Sequence, residues 1–303
     1  MTTTPTVAYL AAEGYVDELL AELGDDAIEA RGRLVLARGP AREAAWAANV
    51  WLELQAIPAP SIGAAAKALR AIQRNWALFA TGHHRRAALI AAQLPPVKPK
   101  PLAFPAPAPR APLGSWTLWE PDLVYASARC ASPFVHGEVA FVEDRTGPPH
   151  RAYLKLWEAF TRLGAWPQAG ERCLDLGAAP GGWSWALARL GARVIAVDKA
   201  ALDPGVAALA NVETRRESAF ALDPAAIGPV EWWISDVVCY PKRLLALIGR
   251  WRDSGLARNM IATIKFQGAT DPAIARDFAA IPGSRVMHLH HNKHELTWAL
   301  LQR

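Results

Sequence analysis

The sequence predicts an α/β protein: a mostly parallel sheet covered by helices on both faces, preceded by a small α+β domain. Three observations carry this. From about His150 onward, segments with helical and strand periodicity alternate. A glycine-rich turn, "CLDLGAAPGGW" (173–183), follows the first strand of that series. A run of eight prolines in the eighteen residues from Pro95 to Pro112 fixes extended backbone and separates the series from what precedes it. With 303 residues, 52% of them hydrophobic, the chain is long enough for two buried cores.

In chain order, "TVAYLAAEG" reads as a strand and "YVDELLAELG" as an amphipathic helix closed by Gly24. "AIEARGRLVLARG" gives two short strands. "AREAAWAANVWLEL" and "AAAKALRAIQRNWALFA" read as helical stretches. These form an N-terminal domain over 1–94 with no cluster of catalytic type, followed by a linker at 95–114. "SWTLWEPDLVYASAR" and "GEVAFVED" alternate apolar and polar residues, which predicts a β-rich segment over 115–147 that either joins the first domain or bridges the two. The catalytic-type domain spans 148–303. Its helices are "HRAYLKLWEAFTRLG", "GGWSWALARLG", "PKRLLALIGRWRDSG" and "DPAIARDFAAIPG"; its strands are "RCLDLG", "ARVIAVD", "VEWWISD" and "NMIATIKF". "SRVMHLHH" and "HELTWALLQ" close the chain as two strands with little between them, so one edge of the sheet is antiparallel.

The N-terminus lacks the basic start and apolar stretch of a signal peptide, and no run of about 18 apolar residues is present. A cytoplasmic protein without a membrane partner is expected. Cys130, Cys173 and Cys239 are far apart, which suggests neither a disulfide framework nor a zinc site. The excess of 33 basic over 28 acidic residues is small. Local clusters, "HHRR" at 83–86, "KPK" at 98–100, "RR" at 215–216 and "PKR" at 241–243, suit phosphates or simply a solvated surface.

In an open parallel sheet the first strand-to-helix turn is the usual nucleotide cradle. Gly177, Gly181 and Gly182 are spaced G-x-x-x-G-G rather than the G-x-G-x-x-G of dinucleotide sites, and Asp175 stands just ahead. An acid there repels phosphate and bonds an ammonium group, which favours S-adenosylmethionine. Asp198, ending "VIAVD", is placed to accept the ribose hydroxyls of the bound nucleoside.

Lys155, Asp236, Lys265 and Glu295 are the candidate catalytic residues. Three of them fall at strand ends, where two lysines and two acids converge beside the sulfonium. A ribose hydroxyl attacking a methyl group gains from a base within hydrogen-bond reach. Lysine is almost wholly protonated at its reference pKa of about 10.4; a second cation and partial burial lower that value, while acids orient the amine.

"RAYLKLWE", "DLGAAPGGW", "VIAVD", "ISD", "IKFQG" and Glu295 resemble, in order and spacing, the motifs of the FtsJ-type (RrmJ-fold) ribose 2′-O-methyltransferases over roughly 148–303. The resemblance implies a Rossmann-like class I methyltransferase fold with a seven-stranded sheet. It also implies a Lys-Asp-Lys-Glu tetrad in which Lys265 deprotonates, Asp236 and Lys155 orient and tune it, and Glu295 supports. The N-terminal region and "EWWISDVVCYPKRLLALIGRW" are more similar to the bacterial 23S rRNA (cytidine-2′-O)-methyltransferase M group, which implies large-subunit rRNA as partner and a THUMP-containing RNA-binding region; here the region is shorter, a partial THUMP-like segment. In "RRESAF", Glu217 or Ser218 stands where the family has an acid near the adenine. The candidate cofactor-binding set is therefore Asp175, Gly177, Ala178, Pro180, Gly181, Gly182, Trp183, Asp198, Glu217, Ser218 and Asp236.

"HLHHNKHE" (288–295) invites a metal, but methyl transfer from a sulfonium needs no Lewis acid and the spacing is not H-x-x-x-H, so no metal is expected. Trp185 and one of Trp232 and Trp233 read as core, and Trp183 as flanking the cofactor pocket. A monomer is favoured. Two other classes stay open: a noncatalytic RNA-binding protein that keeps the fold, and a nucleotide-dependent oxidoreductase, which the two lysines and the missing G-x-G-x-x-G weaken.

Overall fold

A computed structural model describes residues 4–302, leaving the extreme ends of both expected domains, 1–3 and 303, outside the description. The chain forms two compact units: one from residues up to 102 together with 108–140, the other from 103–107 together with 141 onward.

The first unit holds β1 (Val7–Ala11), α1 (Val16–Leu23), β2 (Ala27–Arg31), β3 (Leu34–Ala37), β4 (Ala47–Trp51), β5 (Gln55–Pro58), α2 (Ile62–Ile72), β6 (Trp76–Leu78), α3 (His84–Ala91), β7 (Gly114–Glu120) and β8 (Leu123–Ser127). They make two four-stranded sheets, β2-β3-β1-β4 and β5-β8-β7-β6. Ser61 starts α2 by accepting a hydrogen bond from the Ala64 amide at 3.1 Å, and α2 and α3 bury Ala65, Leu69, Ala87 and Ile90 in one cluster with Trp116 and Val124 of the second sheet.

Several sequence expectations meet the structure here. The stretch 41–54 is not helical: Ala47–Trp51 pairs antiparallel with β1, and burying Trp51 in a sheet overrides the helix preference of its alanines. The helix expected up to residue 80 stops at Ile72, and Trp76–Leu78 lies parallel to β7. No strand forms over 137–144, so "GEVAFVED" is irregular. Of the two placements expected for 115–147, β7 and β8 take the first: they pair with β6 and β5 and complete the first unit. Part of the proline-rich segment belongs instead to the second unit, where the Phe104 ring stacks on Trp157 with centroids 5.0 Å apart.

The second unit runs α4 (Tyr153–Leu163), β9 (Arg172–Leu176), α5 (Gly182–Arg189), β10 (Arg193–Val197), α6 (Pro204–Ala207), β11 (Val212–Arg215), α7 (Pro224–Ile227), β12 (Val230–Ser235), α8 (Pro241–Ser254), β13 (Ala257–Lys265), α9 (Pro272–Ala279), β14 (Ser284–Met287) and β15 (Glu295–Leu301). Its seven-stranded sheet has the order β11-β10-β9-β12-β13-β15-β14. The first five strands in that order are parallel, and β15 is antiparallel to both β13 and β14. The winding reverses between β9 and β12, which is where such sheets bind ligands. The seventh strand, β11, has no apolar alternation: its "VETR" is largely exposed at the sheet edge, so periodicity does not announce it. Trp185, Trp232 and Trp233 are all buried; of the last two, both rather than one are core.

Candidate active site

The parallel strands deliver their carboxyl ends to one rim. Asp236 follows β12 directly, its amide donating to the Leu176 carbonyl at the end of β9. Lys265 ends β13, and the antiparallel register sets it directly opposite Glu295, the first residue of β15. Lys155 reaches the same point from α4. Its Nζ donates to Asp236 Oδ1 and Oδ2 at 3.1 and 3.3 Å and to Glu295 Oε1 at 3.0 Å. Lys265 Nζ lies 3.1 Å from Asp236 Oδ1 and donates to the Asp236 main-chain carbonyl. All four residues of the expected tetrad therefore meet, with Asp236 shared between two ammonium groups.

Charge is held in place by these contacts. Burial alone disfavours the Lys155 ammonium, but Asp236 and Glu295 more than offset it and raise its pKa above the ordinary lysine value. Burial likewise works against the Asp236 carboxylate, and the two lysines outweigh it, so its pKa is lowered. The two lysines differ in access: Lys155 is 8% exposed, whereas Lys265 lines a cavity of about 410 Å³ on the rim.

Gly177, Asp198, Glu217, Ser218 and Asp236 also line that cavity. Asp198 is oriented by the Ala179 amide at 3.1 Å on Oδ2 and the Ala200 amide at 2.8 Å on Oδ1. Gly177 has φ +78°, and a Cβ on it would meet Val237 Cα at 2.6 Å, so only glycine lets the turn pass this close to the loop after β12. A cavity of this size, lined by a glycine and three carboxylate side chains, fits a nucleoside carrying a polar tail.

The remaining cofactor candidates stand behind the wall. Asp175 is fully buried, one oxygen accepting from Ser184 Oγ at 2.6 Å and Oδ1 without a partner among the described residues. Burial pushes its pKa up to about 7 against the Ser184 hydrogen bond. Asp175, the next-to-last residue of β9, is paired through both neighbouring strands and does not line the cavity. Ala178, Pro180, Gly181 and Gly182 shape the turn and the start of α5 without joining the cavity wall. Trp183 does not flank the cavity either; it is 4% exposed and its Nε1 donates to the Ala152 carbonyl at 2.9 Å, tying α5 to the start of α4.

Two residues went unnoticed in the sequence. His150 packs its ring where a Cβ on Gly182 would stand, 2.5 Å from Cε1, and its Nδ1 accepts from the Ala152 amide; burial lowers its pKa, which favours the neutral ring. Glu158, one helical turn beyond Lys155, is fully buried and accepts from Arg162 Nε at 2.7 Å, the His290 and His291 amides at 2.8 and 3.0 Å, and His291 Nδ1 at 2.8 Å. Its partners outweigh burial and lower its pKa to about 2. The histidine-rich stretch is thereby given a structural use: His291 serves Glu158, His294 Nε2 meets Thr270 Oγ1 at 2.7 Å and His288 Nε2 meets the Lys293 carbonyl at 3.0 Å. Among the described residues no histidine, cysteine or carboxylate group is arranged to hold a metal.

Sheet order, glycine turn and rim acids together define a Rossmann-like α/β domain with a ligand cavity at its switch point. Residues 149–244, all within this second unit, match the model of the FtsJ-like methyltransferase family. The chain is similar to ribosomal RNA large subunit methyltransferase M of Aromatoleum aromaticum, at 36% identity over 169 residues covering 50% of this chain and 45% of that one. It is similar to the proteins of the same name from Thauera aminoaromatica, at 34% identity covering 49% and 45%, and from Azoarcus sp., at 39% identity covering 39% and 33%. The matched part of the chain thus spans less than half the length of these relatives.

Proposed function

We propose that this protein transfers a methyl group from S-adenosylmethionine to a ribose 2′-hydroxyl of RNA, with large-subunit ribosomal RNA as the substrate its relatives' names point to and a cytidine as the nucleotide the motif resemblance implies. The observation that carries the reading is the Asp236 carboxylate, shared by two lysines of which one faces the cavity and one is sealed behind it.

The residues on the cavity wall fit the methyl donor. Asp198 accepts its ribose hydroxyls, Glu217 or Ser218 meets the adenine edge, and Gly177 gives the backbone room to approach. Bound there, S-adenosylmethionine supplies an electrophilic methyl carbon on a cationic sulfur. Lys265 in its neutral form accepts the 2′-hydroxyl proton as that oxygen bonds to the methyl carbon and the methyl carbon–sulfur bond breaks, leaving S-adenosylhomocysteine as a neutral thioether, and the proton passes on to solvent. Lys155 stays charged because two acids hold it, so it fixes Asp236 rather than acting as the base. Asp236 in turn aims Lys265 through its carboxylate and its carbonyl. Glu295 closes the set from the far side of Lys155. The first unit is proposed to grip the RNA.

The experiment is incubation with ribosomal RNA and methyl-labelled donor, followed by mapping of 2′-O-methyl sites. Transfer to one ribose supports the reading. Donor binding without transfer to any cellular RNA would favour the noncatalytic RNA-binding alternative. No helix of the described residues is long and apolar enough to cross a membrane.

A further inference from the structure

The loop from Val237 to Tyr240, between β12 and α8, carries two of the six exposed large apolar side chains among the described residues: Val238 at 73% and Tyr240 at 67%. Single exposed apolar residues are ordinary. This pair differs by its place. It follows Asp236 directly, Val237 and Val238 form part of the cavity wall, and Lys242 and Arg243 come next at the exposed start of α8.

The loop is rigidly based even though its tip is bare. Pro241 opens α8, and the Tyr240 carbonyl accepts from the Arg243 and Leu244 amides at 2.9 and 3.2 Å. Arg243 lies flat on the Phe220 ring, its guanidinium carbon 3.7 Å from the centroid, which closes the cavity edge beside the loop. The Tyr240 ring itself meets no aromatic partner and its hydroxyl makes no hydrogen bond among the described residues. A flat, exposed ring two residues beyond the cavity-lining Val238 is suited to a flat ligand.

Geometry decides which ligand. For Lys265 to take a proton from a ribose hydroxyl, the nucleotide must enter at the Asp236–Lys265 side of the cavity, and so must pass over the loop that continues from Asp236. A nucleotide presented in this way is unstacked from its neighbours, and its base needs a surface to replace them. Resting on the function proposed above, we propose that Tyr240, backed by Val238, is the platform on which the base of the target nucleotide stacks, with Lys242 beside it for the flanking phosphate. Stacking tolerates any base, so this platform serves capture and positioning rather than choice of sequence.

The test compares Tyr240→Ala and Tyr240→Phe in the full chain, using a single-stranded RNA fragment that the wild-type protein methylates. Stacking on one aromatic side chain corresponds to roughly 5- to 150-fold in binding. Tyr240→Ala should lose that much in kcat/KM for RNA and in RNA affinity by fluorescence anisotropy. Tyr240→Phe should stay within about 2-fold of wild type, since a phenyl ring still stacks. Donor affinity and melting temperature should be unchanged in both, because the ring touches neither donor nor core. Unchanged RNA kinetics for Tyr240→Ala, with wild-type transfer intact, overturn the platform and leave the function standing. A wild-type protein that methylates no RNA overturns both. A wild-type dimer that Tyr240→Ala dissolves also overturns the platform, by giving the patch to a second copy of the chain.

Discussion

Glu158→Gln is the substitution whose consequence follows most directly from the structure. The carboxylate is fully buried and receives four hydrogen bonds, from Arg162, from two consecutive main-chain amides and from His291. Being ionised it can only accept, so all four donors point at it; an amide would present two hydrogens to the same donors. Its pKa falls from 4.5 to about 2. At about 1.36 kcal/mol per unit, that depression corresponds to roughly 3 kcal/mol of stability at neutral pH. The sign follows from the direction of the shift. A lowered folded-state value gives stability that is present above the unfolded value of 4.5 and is lost as pH falls toward about 2. Linkage between those two values leaves about 2 kcal/mol of it at about pH 3.5. Glu158→Gln should therefore lower the melting temperature by about 6–12 °C at neutral pH, taking about 2–4 °C per kcal/mol for a unit of this size. Denaturant titrations should show the gap between wild type and variant narrowing by about 1 kcal/mol toward about pH 3.5. Glu158 also fastens the segment that leads into Glu295 onto the helix that carries Lys155, so methyl transfer at a temperature where the variant is folded should fall with donor affinity intact. A variant that melts within about 2 °C of wild type, or a gap that ignores pH, would show that the buried carboxylate is not held by these partners.

Lys265→Ala removes the cavity-facing amine and should reduce transfer by about 100-fold or more while donor affinity stays within a few fold; near wild-type turnover would show that Lys265 is not the base. Asp198→Ala removes the carboxylate at the end of β10 and should weaken donor binding by about 10-fold or more in calorimetry, each hydrogen bond to a charged group being worth about 1.5–3 kcal/mol. An unchanged dissociation constant would rule out the ribose contact. Gly177→Ala places a Cβ 2.6 Å from Val237 Cα at φ +78°, so both the melting temperature and donor affinity should fall. If both stay at wild-type values, the turn has more freedom than its geometry implies.

What could be read from the sequence tracks how the information is encoded. The strand ends at Asp198, Asp236 and Lys265 were legible because buried parallel strands are apolar runs that stop abruptly at a charged residue. The tetrad was legible because each of its members sits at a distinct, countable place along the chain. Strand β4 was not, since its alanine-rich sequence prefers helix and only pairing with β1 makes it a strand. Nor was Glu158, which in sequence is one more polar residue of an amphipathic helix. Its role depends on the His290 and His291 amides, more than a hundred residues away, and no local pattern marks such a pairing.

The same distinction separates the two lysines. By sequence they are equivalent, each a lysine near an apolar element. The structure breaks the symmetry through Glu295, which bonds Lys155 at 3.0 Å although the β-sheet register pairs it with Lys265. One cation is thereby bound by two acids and sealed from the cavity, while the other keeps Asp236 as its ion-pair partner and remains on the cavity wall. A base must shed and regain a proton in each cycle, and an ammonium tied to two buried carboxylates resists doing so. Exchange of function between the two lysines by a single substitution is therefore not expected: Glu295→Gln loosens Lys155 but leaves it behind the wall, so it should slow transfer through the loss of order around Asp236 without making Lys265 dispensable.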